Sequence, residues 1–191
     1  MLRIGVDFGG TKIEAAALGE NGEFLARQRV PNPRAYEEAL WSVRNLVLQV
    51  EEQVGGIGTV GVGSPGSPSP RNGVVRNANS TWPNGRLFRE DLQRVLDRPL
   101  RLANDANCLA VSEAADGEAD GAGIVFGVII GAGCCGGLSN VREIYARLPP
   151  VIERYVISDA WEAKLAPAKW GEPSGVRGRP DYGTRMSGAE A

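Results

Sequence analysis

The 191-residue chain contains no histidine. That absence removes the commonest general base, every Ser-His or Cys-His nucleophile pair and every histidine-containing metal site. Any proton transfer must therefore fall to a carboxylate, lysine, tyrosine or cysteine. Cysteine is scarce as well. Cys108, Cys134 and Cys135 are odd in number and lack framework spacing, which fits reduced thiols in a cytoplasmic protein better than disulfides. A surplus of positive charge is missing too: the net charge of −2 gives no electrostatic reason to expect nucleic acid or an anionic membrane. "MLRIGVDFGG" goes straight into a strand-like run, with no basic n-region or long apolar segment, so neither secretion nor a membrane span is expected.

What is present is patterned for an α/β domain. "LRIGVDF" (2–8) reads as a buried strand ending in aspartate. "TKIEAAAL" (11–18) and "EFLARQRV" (23–30) flank an Asn21-Gly22 turn, which predicts an antiparallel meander stopped by Pro31 and Pro33. Over 35–54, Ala39, Leu40, Val43, Leu46, Val47 and Val50 recur at helical spacing. Further strands are expected at 59–65, 100–105 and 123–130, with part of a strand in 73–85. Helices are expected at 87–96, 106–116, 140–155 and 158–168. Strands followed by crossover helices indicate α/β architecture.

Three polar strings interrupt this pattern where chemistry is expected. "DFGGTK" lies at a strand end: Gly9 and Gly10 allow close backbone approach to a phosphate, and Thr11 and Lys12 can donate to it. Asp7 can hold a hydrated Mg²⁺ nearby. The spacing is neither a Walker A loop nor a dinucleotide fingerprint. Two glycines alone would be a turn with an exposed lysine; the whole string points to phosphate. "NDAN" lies where a strand ends and a helix begins. Asp105 there either caps the helix or, with Asn104, holds neighbouring sugar hydroxyls at the carboxyl end of a strand. As a base, Asp105 would take the proton of a hydroxyl attacking a γ-phosphate. The third string, "NANSTW" with Asn77, Asn79 and Ser80, is either a solvated turn or part of the same cleft. "SPGSPSP" (64–70) lines that cleft or is only a stiff loop.

Taken in order, "IGVDFGGTK", "VGVGSPGSPSPRNGVVRNANSTWPNG" and "LANDANCLAVSEAADG" closely resemble the ROK sugar kinases, especially the fructokinase-like members, over roughly residues 2–178. The resemblance implies the actin-like, ribonuclease-H-like ATPase fold and transfer of the ATP γ-phosphate to a hexose 6-hydroxyl, with Mg²⁺. Carried over by position, Asp7, Gly9, Gly10, Thr11 and Lys12 form the first phosphate motif. Gly66, Asn79, Asn104 and Asp105 contact the sugar, with Asp105 as general base. Gly131, Gly133, Gly136 and Gly137 belong to a second nucleotide loop. The family's DNA-binding members are a poor match, because here the phosphate motif begins almost at residue 1 and no basic patch replaces a helix-turn-helix.

The resemblance breaks at "GAGCCGG". Ala132 stands where the family places threonine, and Cys135 where it places glycine. The long segment that follows in the family, with a Glu-x-Gly-His sugar motif and a zinc site of one histidine and three cysteines, is missing. Adjacent Cys134 and Cys135 are poorly placed to bind one tetrahedral ion together. "GGLSNVREIYARLPP" instead resembles the family's C-terminal end, so 131–141 reads as two glycine loops fused by an internal deletion. Three parts are expected: a lobe over 1–130, a mainly helical remnant of the second lobe over 131–178, and a loose tail over 179–191. Such a chain is expected to be a hexose kinase of reduced activity, or a non-catalytic relic or sugar- and nucleotide-binding module. It is also expected to be cytoplasmic and to associate through the surface exposed by the missing lobe.

Overall fold

A computed structural model describes residues 1–78, 80–122, 124–125, 141–155 and 164–169. The chain enters as β1 (Arg3–Phe8), turns tightly into β2 (Lys12–Leu18) and returns as β3 (Phe24–Pro31), the antiparallel meander expected from the sequence. Gly22 holds a φ of +77° at the second turn, a left-handed conformation that glycine reaches without steric cost. The helix α1 (Tyr36–Val54) then returns the chain to β4 (Thr59–Ser64), which pairs parallel to β1. After a miniature hairpin, β5 (Ser67–Pro68) with β6 (Val75–Arg76), α2 (Phe88–Leu96) leads to β7 (Leu100–Asn104), parallel to β4. The sheet order is β3-β2-β1-β4-β7, and α3 (Asp105–Asp116) leaves directly from the last strand.

One face of this sheet makes the core. Alternation along β1, β2 and β4 puts Ile4, Val6, Phe8, Ile13, Ala15, Ala17, Val60 and Val62 on that face. They pack with the apolar stripe of α1 and with Phe88, Leu92 and Leu96 of α2. All six apolar positions expected from the periodicity of α1 are buried. The opposite face carries Gly5, Ala16, Gly61 and Gly63, with Asp7 and Glu14 as cross-strand register partners.

Charge closes the far end of the core. Glu51, on the buried side of α1, accepts from both Arg98 Nη1 and Nη2 at 2.8 Å and from the Gly58 N–H at 2.9 Å. Burial alone would raise the Glu51 pKa. The Arg98 hydrogen bonds, the Gly58 N–H and the Arg98 charge outweigh it and hold the carboxyl below its ordinary range.

Two expectations need revision. The helix expected at 140–155 is two short pieces, α4 (Arg142–Arg147) and α5 (Pro149–Ile152). Pro149 lacks the N–H an uninterrupted helix needs and opens the second piece. Residues 164–168, expected to end a helix, are not helical. Of the part strand and part loop expected over 73–85, the strand is Val75–Arg76, and the Pro- and Asn-rich remainder closes into turns. The expected strand at 123–130 falls almost wholly outside the described residues, as do most of the helix at 158–168 and the tail.

Candidate functional site

Parallel pairing gathers the site. Asp7 is in register with Gly63, Gly63 with Ala103 and Ser64 with Asn104, so β1, β4 and β7 end at one level along one sheet edge. Neighbouring strands lie roughly 5 Å apart, which puts the end of β7 about 10 Å across the sheet from the end of β1. The "DFGGTK" turn, the loop starting at Gly66 and the Asn104-Asp105 step all leave from this edge. Open α/β sheets bind ligands at such carboxyl ends.

The first of these is a tight turn. The Gly9 N–H donates to the Lys12 carbonyl at 3.0 Å, and Gly9 is buried while Thr11 is exposed. Lys12 is half-buried, its ammonium 3.9 Å from Glu14, which is itself paired with Arg27. Asn32, just beyond β3, holds the turn from behind: its Nδ2 donates to the Gly9 carbonyl at 2.6 Å, and its main-chain N–H donates to the Thr11 carbonyl at 2.9 Å.

The second element is a folded loop. Gly66 has a φ of +77°, and a Cβ there would come within 2.4 Å of the Arg76 carbonyl and 2.8 Å of the Ala78 nitrogen. Gly66 is thus glycine for two reasons, conformation and close backbone approach. Asn84 shapes the same loop by accepting from the Ala78 N–H at 3.0 Å and donating to the Ala78 carbonyl at 3.1 Å. Asn77 takes a φ of +58°, which asparagine tolerates better than most residues. Ser80 then reaches the phosphate turn, its Oγ lying 2.6 Å from where a Cβ on Gly10 would stand. The two motifs touch.

The third element ties the others in. Asn104 caps α3, accepting from the Ala106 N–H at 3.0 Å, and its Nδ2 donates to the Gly66 carbonyl at 2.9 Å. Asn104 is therefore the cap, so of the two readings of Asp105 the capping role belongs to its neighbour. Asp105 is the first helical residue, although its Oδ1 also accepts from Ala106 at 2.8 Å. A carboxylate in the first turn suits the positive end of a helix.

Beneath the loop lies an aromatic floor. Phe8 meets Trp82 edge-on at 5.3 Å and Phe88 at 4.7 Å, and Tyr36 lies beside both Trp82 and Phe88. The Tyr36 hydroxyl donates to Asp91 at 2.7 Å. Burial first, and then the Asp91 hydrogen bond and charge, push the phenol well above its ordinary range, so it stays a donor.

A family profile described as the ROK family matches residues 3–140 of this chain. The chain belongs to the ROK family. An N-acetyl-D-glucosamine kinase of Escherichia coli is 42% identical over 135 residues, covering 70% of this chain and 45% of the relative. The ROK hexokinase of Thermus thermophilus superposes with a TM-score of 0.57 at 31% identity, over 63% of this chain and 41% of that one. A ROK family glucokinase of Streptomyces griseus, solved with glucose and AMPPNP, gives a TM-score of 0.52 at 29% identity, over 60% and 36%. This ROK chain thus has the actin-like ATPase fold and spans less than half the length of these relatives. None of the three is named as a fructokinase.

The described residues thus bring together Asp7, Gly9, Gly10, Thr11, Lys12, Gly66, Asn104 and Asp105 at one edge. Asn79 lies outside them, between the described Ala78 and Ser80; so do Gly131, Gly133, Gly136, Gly137, Cys134 and Cys135. No group of three His, Cys, Asp or Glu able to hold a metal occurs among the described residues, and no helix among them is long and apolar enough to cross a membrane. Sequence reasoning missed Asn32 and Asn84. Both sit beside proline, in "PNP" and "PNG", a turn signal that could have singled them out.

Proposed function

We propose that this chain is the nucleotide- and sugar-binding lobe of a ROK hexose kinase. The observation that carries the reading is the convergence of three loops at one sheet edge, locked by the Asn104–Gly66 bond and the Ser80–Gly10 contact. The Gly9–Lys12 turn fits a polyphosphate: no Cβ blocks its two glycines, and Thr11 and Lys12 supply a hydroxyl and an ammonium. ATP as donor and a hexose as acceptor suit this layout. Asp7, buried at the end of β1, would hold hydrated Mg²⁺ through water. The ion supplies charge neutralisation on the phosphates when bound.

In this reading the described and undescribed parts of the loop share the sugar. Gly66 and Asn79 approach it with backbone and amide, and Asn104 with the remaining capacity of its amide. Asp105 takes the proton of the attacking 6-hydroxyl, so that the oxygen bonds to the γ-phosphorus as the bond to ADP breaks. Relatives named an N-acetyl-D-glucosamine kinase, a hexokinase and a glucokinase support an acceptor of the hexose class, and the resemblance of the motifs to the fructokinase-like members puts fructose among the candidates. The division into a lobe at 1–130 and a helical remnant at 131–178 belongs to the same proposal, as do a cytoplasmic location and self-association.

The test is coupled ADP release over fructose, glucose and N-acetylglucosamine. Turnover is expected for one hexose, falling at least about a hundredfold in Asp105→Ala with unchanged unfolding. Turnover equal in the two proteins would remove Asp105 from the chemistry. A second reading, a binding module without turnover, is favoured by the absence of any histidine from this sequence. Calorimetric binding of hexose or AMPPNP without ADP release would select it.

A further inference from the structure

Asn32 lies outside every motif that carries the ROK resemblance, yet it holds the phosphate turn by two hydrogen bonds, one from its side chain and one from its main chain. It is 6% exposed, in the connection between β3 and α1. Its amide and its main-chain N–H bind the Gly9 and Thr11 carbonyls at 2.6 and 2.9 Å, one on each side of Gly10. Its Oδ1 accepts from the Arg34 N–H at 2.9 Å, which fixes the amide so that Nδ2, the donor end, faces Gly9. Arg34 itself takes a φ of +59°, a conformation that arginine rarely adopts.

A two-glycine turn has many accessible shapes, and only some aim N–H groups at an incoming oxyanion. Drawing the Gly9 and Thr11 carbonyl groups backward onto a buried donor pair selects among them. In the trans peptide that joins Gly9 to Gly10, the carbonyl held back on Asn32 turns the Gly10 N–H the opposite way, toward the cleft. We infer that Asn32 is a positioning residue that pre-forms the phosphate turn before nucleotide arrives. The inference rests on the phosphate reading of that turn. It adds a residue that touches neither nucleotide nor sugar and acts through the Gly9 and Thr11 carbonyls.

Asn32→Asp separates this role from general packing. The shape is kept, and the acceptor for Arg34 survives, but the donor to Gly9 becomes a carboxylate facing a carbonyl oxygen. Amide hydrogen exchange on the full chain without ligand should accelerate about tenfold at Gly9–Lys12, with β4 and β7 amides unchanged. Calorimetry with Mg²⁺ and AMPPNP should show about tenfold weaker binding, with hexose affinity unaltered. Both defects should shrink, relative to the parent at the same pH, as the solution is taken from about pH 8 to about pH 5, because a protonated carboxyl regains an O–H donor. Asn32→Ala should show the same defects without the recovery.

Exchange at the turn unchanged in both variants overturns the inference. So does an acceleration shared by every strand, which would mark Asn32 as a residue of general stability. Faster exchange at the turn alone, with a parent protein that binds no AMPPNP, supports Asn32 as the brace of the turn and overturns the phosphate reading instead.

Discussion

Gly10 and Gly66 are both crowded, but by different kinds of neighbour. At Gly66 the obstruction is backbone, from Arg76 and Ala78, added to a φ of +77°. Neither can move without opening the loop. Gly66→Ala is therefore expected to cost about 2–4 kcal/mol, read as a lower urea midpoint at unchanged m-value. At Gly10 the obstruction is the Ser80 hydroxyl, at the end of a side chain that can rotate. Gly10→Ala should cost less than about 1 kcal/mol of stability but weaken AMPPNP binding about tenfold, because the displaced hydroxyl and the new methyl both intrude on the cleft. Equal stability losses for the two variants would refute this distinction.

The elements owe their placement to one buried ion pair as well as to the apolar core. Glu51 of α1 and Arg98, just before β7, fix the helix against the strand that delivers Asp105. Breaking the pair as Glu51→Gln leaves Arg98 inside with a weaker partner, at an expected cost of about 2–4 kcal/mol. The pH dependence follows from the lowered pKa. The unfolded chain binds the Glu51 proton more readily than the folded one, so the pair stabilises fully above the ordinary value of 4.5 and loses its effect as pH falls through the folded value. Thermal unfolding of parent and variant should therefore differ most near neutrality and converge in acid.

Much of this element layer was legible beforehand. The meander, α1, α2, β4, β7 and α3 follow from strand alternation, helical spacing and glycine or proline punctuation, all of which are local signals. The α4–α5 break was also written locally, in "LPP", but helical periodicity on either side concealed it. The site was legible in part. "DFGGTK" and "NDAN" announce themselves by residue type at strand ends. The roles of Asn32 and Asn104 as braces depend on contacts with residues 23 and 38 positions away, which no local window contains, whereas Asn84 reaches back only six positions to Ala78 and was within reach of a turn signal.

For the whole molecule, the distribution of the core matters most. Among the described residues, every member of the buried apolar cluster lies between Ile4 and Leu100. A shortened chain ending at Ala122, which keeps α3 and Cys108 against the sheet, is therefore expected to unfold cooperatively, with a midpoint within about 5 °C of the parent. Loss of the cooperative transition would show that the later residues contribute to this core, and would count against a separate lobe over 1–130.

The aromatic floor has an optical consequence. Trp82 stands 5.3 Å from Phe8, the last residue of β1, and follows directly on the loop that carries Asn79 and Ser80. Its indole is thus a fluorophore wired into both halves of the cleft, whereas Trp41 is half exposed on the outer side of α1. Ligand arrival at either half should change the emission of Trp82, and Trp82→Phe should silence most of that signal. A titration in a cuvette, without label or coupling enzyme, can then report binding even where no phosphoryl group is transferred.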